Sequence, residues 1–353
     1  MQKPAEQINT ILRSNQNTIA EKTAEMQYAN HPEFWGQYGE EGKKLCIRDT
    51  AYHLSFLAEA LELEDPDIFA DYVEWVKHLF LSLGFPDEAM INNLKYLQEV
   101  VKEFMPADLH HVVSEYLELG IRKMHEPIKA MESFIDETQP LGKLAKAFNQ
   151  TLLEGNRYQA SRMIMDAVKK GTPIDEIYLQ VFQQSQLEVG RLWMENKITV
   201  AKEHFVSAAT QMIMSQLYPY IFATERKGHN FIAASVGGEL HEIGIRMVSD
   251  FFEMDGWDTY YLGSNTPTYT LLQAIKEHQA DILGLSITMP YHRSMLNEVV
   301  NNIKSDETGK NLIILIGGNG LKGKGHLWKS IGADGYAPDA REAIKLANQL
   351  IRN

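Results

Sequence analysis

At residue 231 the hydrophobic period of the chain changes, and this constrains the fold more than any other feature of the sequence. Five short apolar runs follow: FIAASV (231–236), DTYYLG (258–263), DILGLSIT (281–288), NLIILIGG (311–318) and ADGYA (333–337). Helical patterns alternate with them at 244–255, 267–279, 291–305, 321–331 and 340–351. Short apolar runs separated by amphipathic helices predict parallel strands covered on both faces. In such sheets ligands sit at the carboxyl ends of the strands, so the loops after the first, third and fourth strands are the places for chemistry.

Before residue 231 the spacing is helical. RDTAYHLSFLAEALEL (48–63), DIFADYVEWVKHLFLSLG (67–84) and DEAMINNLKYLQEVVKEF (87–104) repeat apolar residues at three- and four-residue steps. Asp65 is placed to cap a helix, and Gly84-Phe85-Pro86 stops one before a new start at Asp87. HEPIKAMESFIDETQP (125–140) contains two prolines and reads as a linker or a broken helix. Four further helices, roughly 141–154, 156–170, 174–195 and 199–222, are joined so tightly that neighbours must run antiparallel, which predicts a four-helix bundle. The expected layout is an N-terminal helical domain (1–135), a four-helix cap (141–225) and a flavodoxin-like, Rossmann-type α/β domain (230–353). The fold class is thus α/β plus all-α.

Composition narrows the function classes. The chain has 353 residues and a net charge of −13, and it shows no basic patch to offset the repulsion of nucleic acid. No apolar run is long enough to cross a bilayer, and the N-terminus lacks the apolar core of a signal peptide, so a cytoplasmic location is expected. Cys46 is the only cysteine, which precludes an internal disulfide. A barrel-sized catalytic domain is missing, which argues against a radical mutase.

The loop after the first strand reads Gly237-Gly238-Glu239-Leu240-His241-Glu242-Ile243-Gly244. Imidazole is a good ligand for a transition metal. Its second ring nitrogen needs a carboxylate to fix the tautomer, and Glu239 is the obvious partner for His241. Gly244 opens the next helix without a side chain, leaving room for a bulky group. Ser286-Ile287-Thr288 and Gly317-Gly318 on the neighbouring loops offer hydroxyls and bare backbone to a polar tail.

This constellation resembles the cobalamin-binding domain of methionine synthase and its relatives, with their pattern Asp-x-His-x-x-Gly, Ser-x-Leu and Gly-Gly. Here 41 residues separate Gly244 from Ser286 and 28 separate Thr288 from Gly317, intervals that fit the family. Glu239 stands where that family has Asp, and Thr288 where it has Leu. The resemblance implies cobalt ligated from below by His241, with the benzimidazole tail of the cofactor displaced into the domain.

Trp193, Val200, Glu203 and His204 flank the joint between the last two bundle helices. They resemble the helical cap of light-sensing cobalamin regulators of the CarH type, which covers the upper axial face and holds an adenosyl group. That type has a histidine directly after the tryptophan, where this chain has Met194. It also begins with a DNA-binding module, whereas this acidic N-terminus shows no recognition helix, so direct DNA binding is not expected. The whole layout resembles the photocobilins, which join a helical region to a cobalamin domain and bind biliverdin. In the N-terminal region Arg48 and His53 are candidate propionate partners, and Tyr52 is a flat surface for a tetrapyrrole; a covalent link through Cys46 is not expected.

These resemblances imply a sensor rather than an enzyme. It would bind adenosylcobalamin and biliverdin, form a homo-oligomer, and change quaternary structure or the contact with a downstream signalling protein when light breaks the cobalt–carbon bond. Two alternatives stand beside it: a corrinoid carrier for methyl transfer, and a bilin-only receptor with a vestigial cobalamin domain.

Overall fold

The computed structural model describes residues 4–352, in two compact units: residues up to 130 with 194–196, and 131–193 with 197 onward.

The N-terminal unit is helical. Its main helices are Pro4–Ser14, Gln16–Asn30, Gly39–Glu62, Asp67–Ser82, Asp87–Lys102 and His110–His125. The core is built from the apolar faces of all six, with Ile8, Ile19, Leu57, Phe69, Leu94 and Leu117 fully buried. Gly120 permits a close helix crossing, because a Cβ there would lie 2.8 Å from the Phe69 ring. The stop at Gly84 is as the sequence indicates. Gly84 takes φ +78°, and the Phe85 N–H returns to the Phe80 carbonyl at 2.9 Å. Asp65 accepts the Asp67 N–H at 3.2 Å. From Glu126 to Leu141 the chain makes only turns and bends, in keeping with the linker reading.

The second unit begins with antiparallel helices Gly142–Leu153, Arg157–Lys169, Ile174–Met194 and Val200–Ser215. Side-chain caps from Asn156 and Thr199 start the second and fourth. Two features depart from the sequence reading. The third helix widens to a π-helix over Tyr178–Phe182. The fourth ends at Ser215 rather than continuing to 222, because Pro219 has no N–H to extend it, and only a single turn Tyr218–Ile221 follows.

The sheet has five parallel strands, β1 (Asn230–Val236), β2 (Asp258–Thr266), β3 (Ile282–Ser286), β4 (Ile313–Gly317) and β5 (Gly335–Ala337), in the order β2-β1-β3-β4-β5. This is the flavodoxin-like order, whose switch point lies between β1 and β3. Alternate residues feed the two faces. Ile232, Ala234, Leu283, Leu285, Ile314 and Ile316 pack on one side, and Phe231, Ala233, Ile282 and Leu315 on the other. Phe231 stacks on Phe252 at 3.7 Å, and its ring crosses Gly284 so closely that a Cβ there would be 2.6 Å away. The helix expected over 321–331 is instead two 3₁₀ turns and one α-turn, because Gly320, Gly323 and Gly325 fall within six residues.

The bundle and the sheet share one core. Met247 and Phe251, on the helix Ile243–Met254, pack among the bundle residues Tyr178, Val181, Phe182 and Ile213.

Candidate functional site

Strand register brings the three loops together. Ser235 pairs with Ser286, and Ser286 with Gly317, so β1, β3 and β4 end level with one another. The loop after β1 is then pinned at several points. Gly238, at φ +81°, donates its N–H to Asn265 Oδ1 at 2.8 Å. Asn265 in turn donates its own N–H to the Glu239 carbonyl at 2.9 Å, from a left-handed conformation that Asn tolerates. Ser235 Oγ donates to the His241 carbonyl at 2.9 Å.

Glu239 is the hub. Its side chain is 1% exposed and accepts five hydrogen bonds. Oε1 takes the His241 backbone N–H (3.0 Å) and His241 Nδ1 (2.5 Å). Oε2 takes the N–H groups of Thr288 (2.7 Å) and Met289 (3.0 Å) and His292 Nδ1 (3.1 Å). Burial alone would raise its pKa, but the bonds from His241, His292 and the backbone overcome this and hold the carboxyl far below the usual range. An ionised carboxylate only accepts, so both Nδ1 atoms carry their protons, and in the neutral ring Nε2 of His241 holds the lone pair. The His241 side chain is 57% exposed. Its pKa is raised, first by the hydrogen bond to Glu239, against burial, and further by the charges of Glu239 and Glu203.

Glu203, on the cap, is near enough for its charge to act on this histidine. Glu203 lies in the first turn of the helix Val200–Ser215, receives Ser207 Oγ at 2.8 Å and pairs with His204 Nδ1 at 2.5 Å. Val200 is 52% exposed, His204 is exposed and Trp193 half-buried. Lower in the same helix, Gln211 donates to Glu242 Oε1 at 3.1 Å and accepts from Arg246 Nη1 at 3.1 Å. The space over Gly237 and Gly244 is open, with no atom within 4 Å of an added Cβ. Gly317 and Gly318 are different: a Cβ on Gly318 (φ +100°) would lie 2.2 Å from the Ile287 carbonyl oxygen, so this loop lies flush against the end of β3. Ser286 is buried and Thr288 contributes its backbone N–H.

His292 did not stand out in the sequence. It follows Pro290 in a 3₁₀ turn after β3, a position that no spacing rule links to Glu239.

The three N-terminal candidates do not converge. Arg48 pairs with Asp49 at 3.0 Å on the surface, and Tyr52 is exposed one turn later. His53 points the other way, into the core, where its Nδ1 lies 2.7 Å from Tyr72 Oη and burial pushes its pKa down to about 3. A helix turns about 100° per residue, so neighbours in sequence cannot share a face. His53 therefore serves packing and does not join Arg48 in holding a propionate. Burial pushes the Cys46 thiol up to about 12, which makes it a poor nucleophile.

Three family models match separate parts of the chain. Residues 230–345 match the model of a B12 binding domain, residues 144–218 match a second B12 binding domain model, and residues 3–124 match that of a phycobilisome protein. Dimethylamine corrinoid protein 1 of Methanosarcina acetivorans is 29% identical over 170 residues, 46% of this chain and 77% of that protein. Dimethylamine corrinoid protein 3 of the same organism is 25% identical over 197 residues, 53% of this chain and 89% of that protein. The monomethylamine corrinoid protein of Methanosarcina barkeri superposes with a TM-score of 0.52 at 19% identity, covering 60% of this chain and 99% of its own, a likeness of fold. The helical bundle and the parallel sheet of this chain together form a cobalamin-binding module.

Proposed function

We propose that this chain is a corrinoid carrier for methyl transfer, itself without catalytic turnover, that holds its cofactor between the bundle and the sheet and presents it to a methyltransferase partner. The observation that carries this reading is His241 Nε2, free, exposed and fixed in tautomer by a buried carboxylate. One imidazole supplies one bond, so a metal seated there has to bring its other ligands with it, as a corrin does. The open space over Gly237 and Gly244 suits a large planar group, and the level ends of β1, β3 and β4 suit a polar tail threaded past Ser286 and Gly317. When bound, a corrinoid supplies a cobalt that accepts and gives up an alkyl group. The chain's part is to hold His241 below, to set Val200, Glu203 and Trp193 above, and to limit the access of water between them. The names of the curated relatives, dimethylamine corrinoid proteins, favour the carrier reading.

A second reading has its own support. Residues 3–124, outside the two B12 binding domain matches, correspond to a phycobilisome protein model. Together with Trp193, Val200, Glu203 and His204 at the cap, this favours a light sensor that binds adenosylcobalamin and a bilin such as biliverdin, forms a homo-oligomer, and passes its signal to a downstream protein. Reconstitution of the full chain with adenosylcobalamin and biliverdin, with spectra in the dark and after illumination, separates the two. Light-stable corrin bands, no bound bilin and methylation of bound cob(I)alamin by a methyltransferase support the carrier. Green-light bleaching of the corrin bands with a red bilin band supports the sensor. A His241→Ala protein that binds cobalamin with unchanged spectrum and affinity overturns the assignment of His241 under both.

A further inference from the structure

We propose that Asp250, Tyr178, Tyr218 and Arg246 form a proton-operated latch between the bundle and the sheet, firm while Asp250 is protonated and loosened when it is ionised. The latch belongs to the folded chain; its consequence for a cofactor rests on the corrinoid reading. Asp250 lies on the helix Ile243–Met254, 3% exposed and one turn after Arg246. Met247 and Phe251, on the same helix, pack in the bundle core. Tyr178, fully buried at the start of the π-helix, donates Oη to Asp250 Oδ2 at 2.8 Å. Tyr218, in the single turn that follows the bundle, faces Asp250 and lies 3.4 Å from Arg246 Nη2. Arg246 also reaches two neutral partners on the bundle, Gln211 Oε1 at 3.1 Å and Ser215 Oγ at 2.7 Å. Glu253, on the helix of Asp250, and Tyr261, on β2, are near enough to act on the same carboxyl. The seam thus closes one carboxyl between two tyrosines from the bundle side and an arginine from its own helix.

The direction follows from burial. Burial holds the Asp250 carboxyl up at about 6, against the bond from Tyr178 and the charge of Arg246, while the charge of Glu253 pushes it the same way as burial. Separation of the bundle from the sheet returns the carboxyl to water and to its ordinary value of 3.8. The closed seam therefore has the higher pKa and takes up a proton as it forms. It is firmest below about pH 4 and loses strength as pH rises to about 6. Protonated, the carboxyl can donate to Tyr218 while it accepts from Tyr178; ionised, it is a charge in an apolar seam. A cofactor held between bundle and sheet is reached from above only when the seam gives way, so the latch ties access to pH.

The test uses the unliganded full chain. Met247→Cys, in a Cys46→Ser background, sets one thiol in the seam, and Leu283→Cys in the same background sets one in the sheet core on the opposite face. A pyridyl disulfide traps each thiol as it becomes exposed, with rates corrected by those of the unfolded chain. The seam thiol should label faster than the sheet thiol, because the seam opens without unfolding the sheet. Its opening equilibrium should rise about 60-fold between about pH 4 and pH 7.5 and level off above about pH 6. Asp250→Asn should keep the seam near its low-pH value throughout. Tyr178→Phe removes a donor to the carboxylate and should carry the plateau to higher pH. Equal labelling of the two thiols, or the same pH dependence in Asp250→Asn as in its parent, overturns the latch. Uptake of hydroxocobalamin at neutral pH should be slower in Asp250→Asn than in the wild type; an equal rate denies the latch its part in cofactor access. If the thiol results hold and neither protein binds hydroxocobalamin, the failure lies with the corrinoid reading and the latch stands.

Discussion

Replacing Glu239 with Gln tests the site at its centre. The amide has one acceptor oxygen, and its best place is toward Thr288, Met289 and His292, where three donors converge and two are fixed in the backbone. The NH₂ group then faces His241, where Oε1 had accepted both the backbone N–H and Nδ1–H. The ring can answer by moving its proton to Nε2, so that Nδ1 accepts from the amide; the backbone N–H of His241 cannot adapt. One buried donor left unsatisfied costs about 1–3 kcal/mol, and the loss of charge from the remaining bonds brings the total to about 3–5 kcal/mol. A unit of ordinary stability survives this, so the variant should fold. Its Nε2 would carry a proton where a metal needs a lone pair, and corrinoid affinity should fall by about 10- to 100-fold. Urea unfolding, ¹⁵N NMR of the histidine tautomer and titration with hydroxocobalamin read the three consequences separately. A Glu239→Gln protein that keeps the Nδ1–H tautomer and wild-type affinity would refute the reasoning.

Three further expectations follow from buried groups. Gly318→Ala sets a Cβ 2.2 Å from the Ile287 carbonyl oxygen at φ +100°, and should destabilise the sheet unit by at least about 2 kcal/mol in urea unfolding, weakening cobalamin binding as the loop shifts. Burial raises the Asp250 carboxyl from 3.8 to about 6, against the bonds from Tyr178 and the charge of Arg246. A folded pKa above the unfolded one adds stability at low pH that is lost as pH rises from about 4 to 6, here about 3 kcal/mol. Asp250→Asn should remove that slope, as measured by urea unfolding of the unliganded protein at pH 4 and pH 7. His53 has the opposite sign: with its pKa lowered to about 3, its contribution is complete above pH 6.5 and is lost as pH falls toward 3. In His53→Gln, hydrogen exchange of the N-terminal unit should lose up to about 4 kcal/mol of the wild-type gain between pH 3.5 and pH 7.

The sequence reading reached different depths in different parts of the chain. Strand existence and order of chemistry were legible because Phe231, Ile232 and their counterparts form runs too short for helices and too regular for loops. The carboxylate–imidazole pair was legible because Glu239 and His241 are two residues apart, so that one loop carries both. The second imidazole was not, because His292 reaches Glu239 across 53 residues through strand register, which local spacing does not encode. The π-helix at Tyr178–Phe182 leaves no mark in a three- and four-residue pattern. In the N-terminal unit, reading Arg48, Tyr52 and His53 as one surface failed because residue type was weighed before helical phase. His53 falls in the stripe of Leu57 and Ala60, which is the core.

The helix Ile243–Met254 explains how the cap and the metal-facing loop act as one. It starts two residues after His241, so its first turn moves with that loop. One side, with Ile245 and Phe252, is packed on the sheet, and the other, with Met247 and Phe251, is packed in the bundle. Polar bonds line the same helix. Asp250 accepts from Tyr178 in the π-helix at 2.8 Å, Arg246 reaches Gln211 and Ser215, and Gln211 returns to Glu242 beside His241. Apolar packing alone resists separation of cap and sheet without setting their register, because it is non-directional. The polar bonds supply direction and fix which face of the Val200–Ser215 helix is turned toward His241. Glu203 is thereby held on the His241 side by contacts that lie about two to three turns further along the same helix.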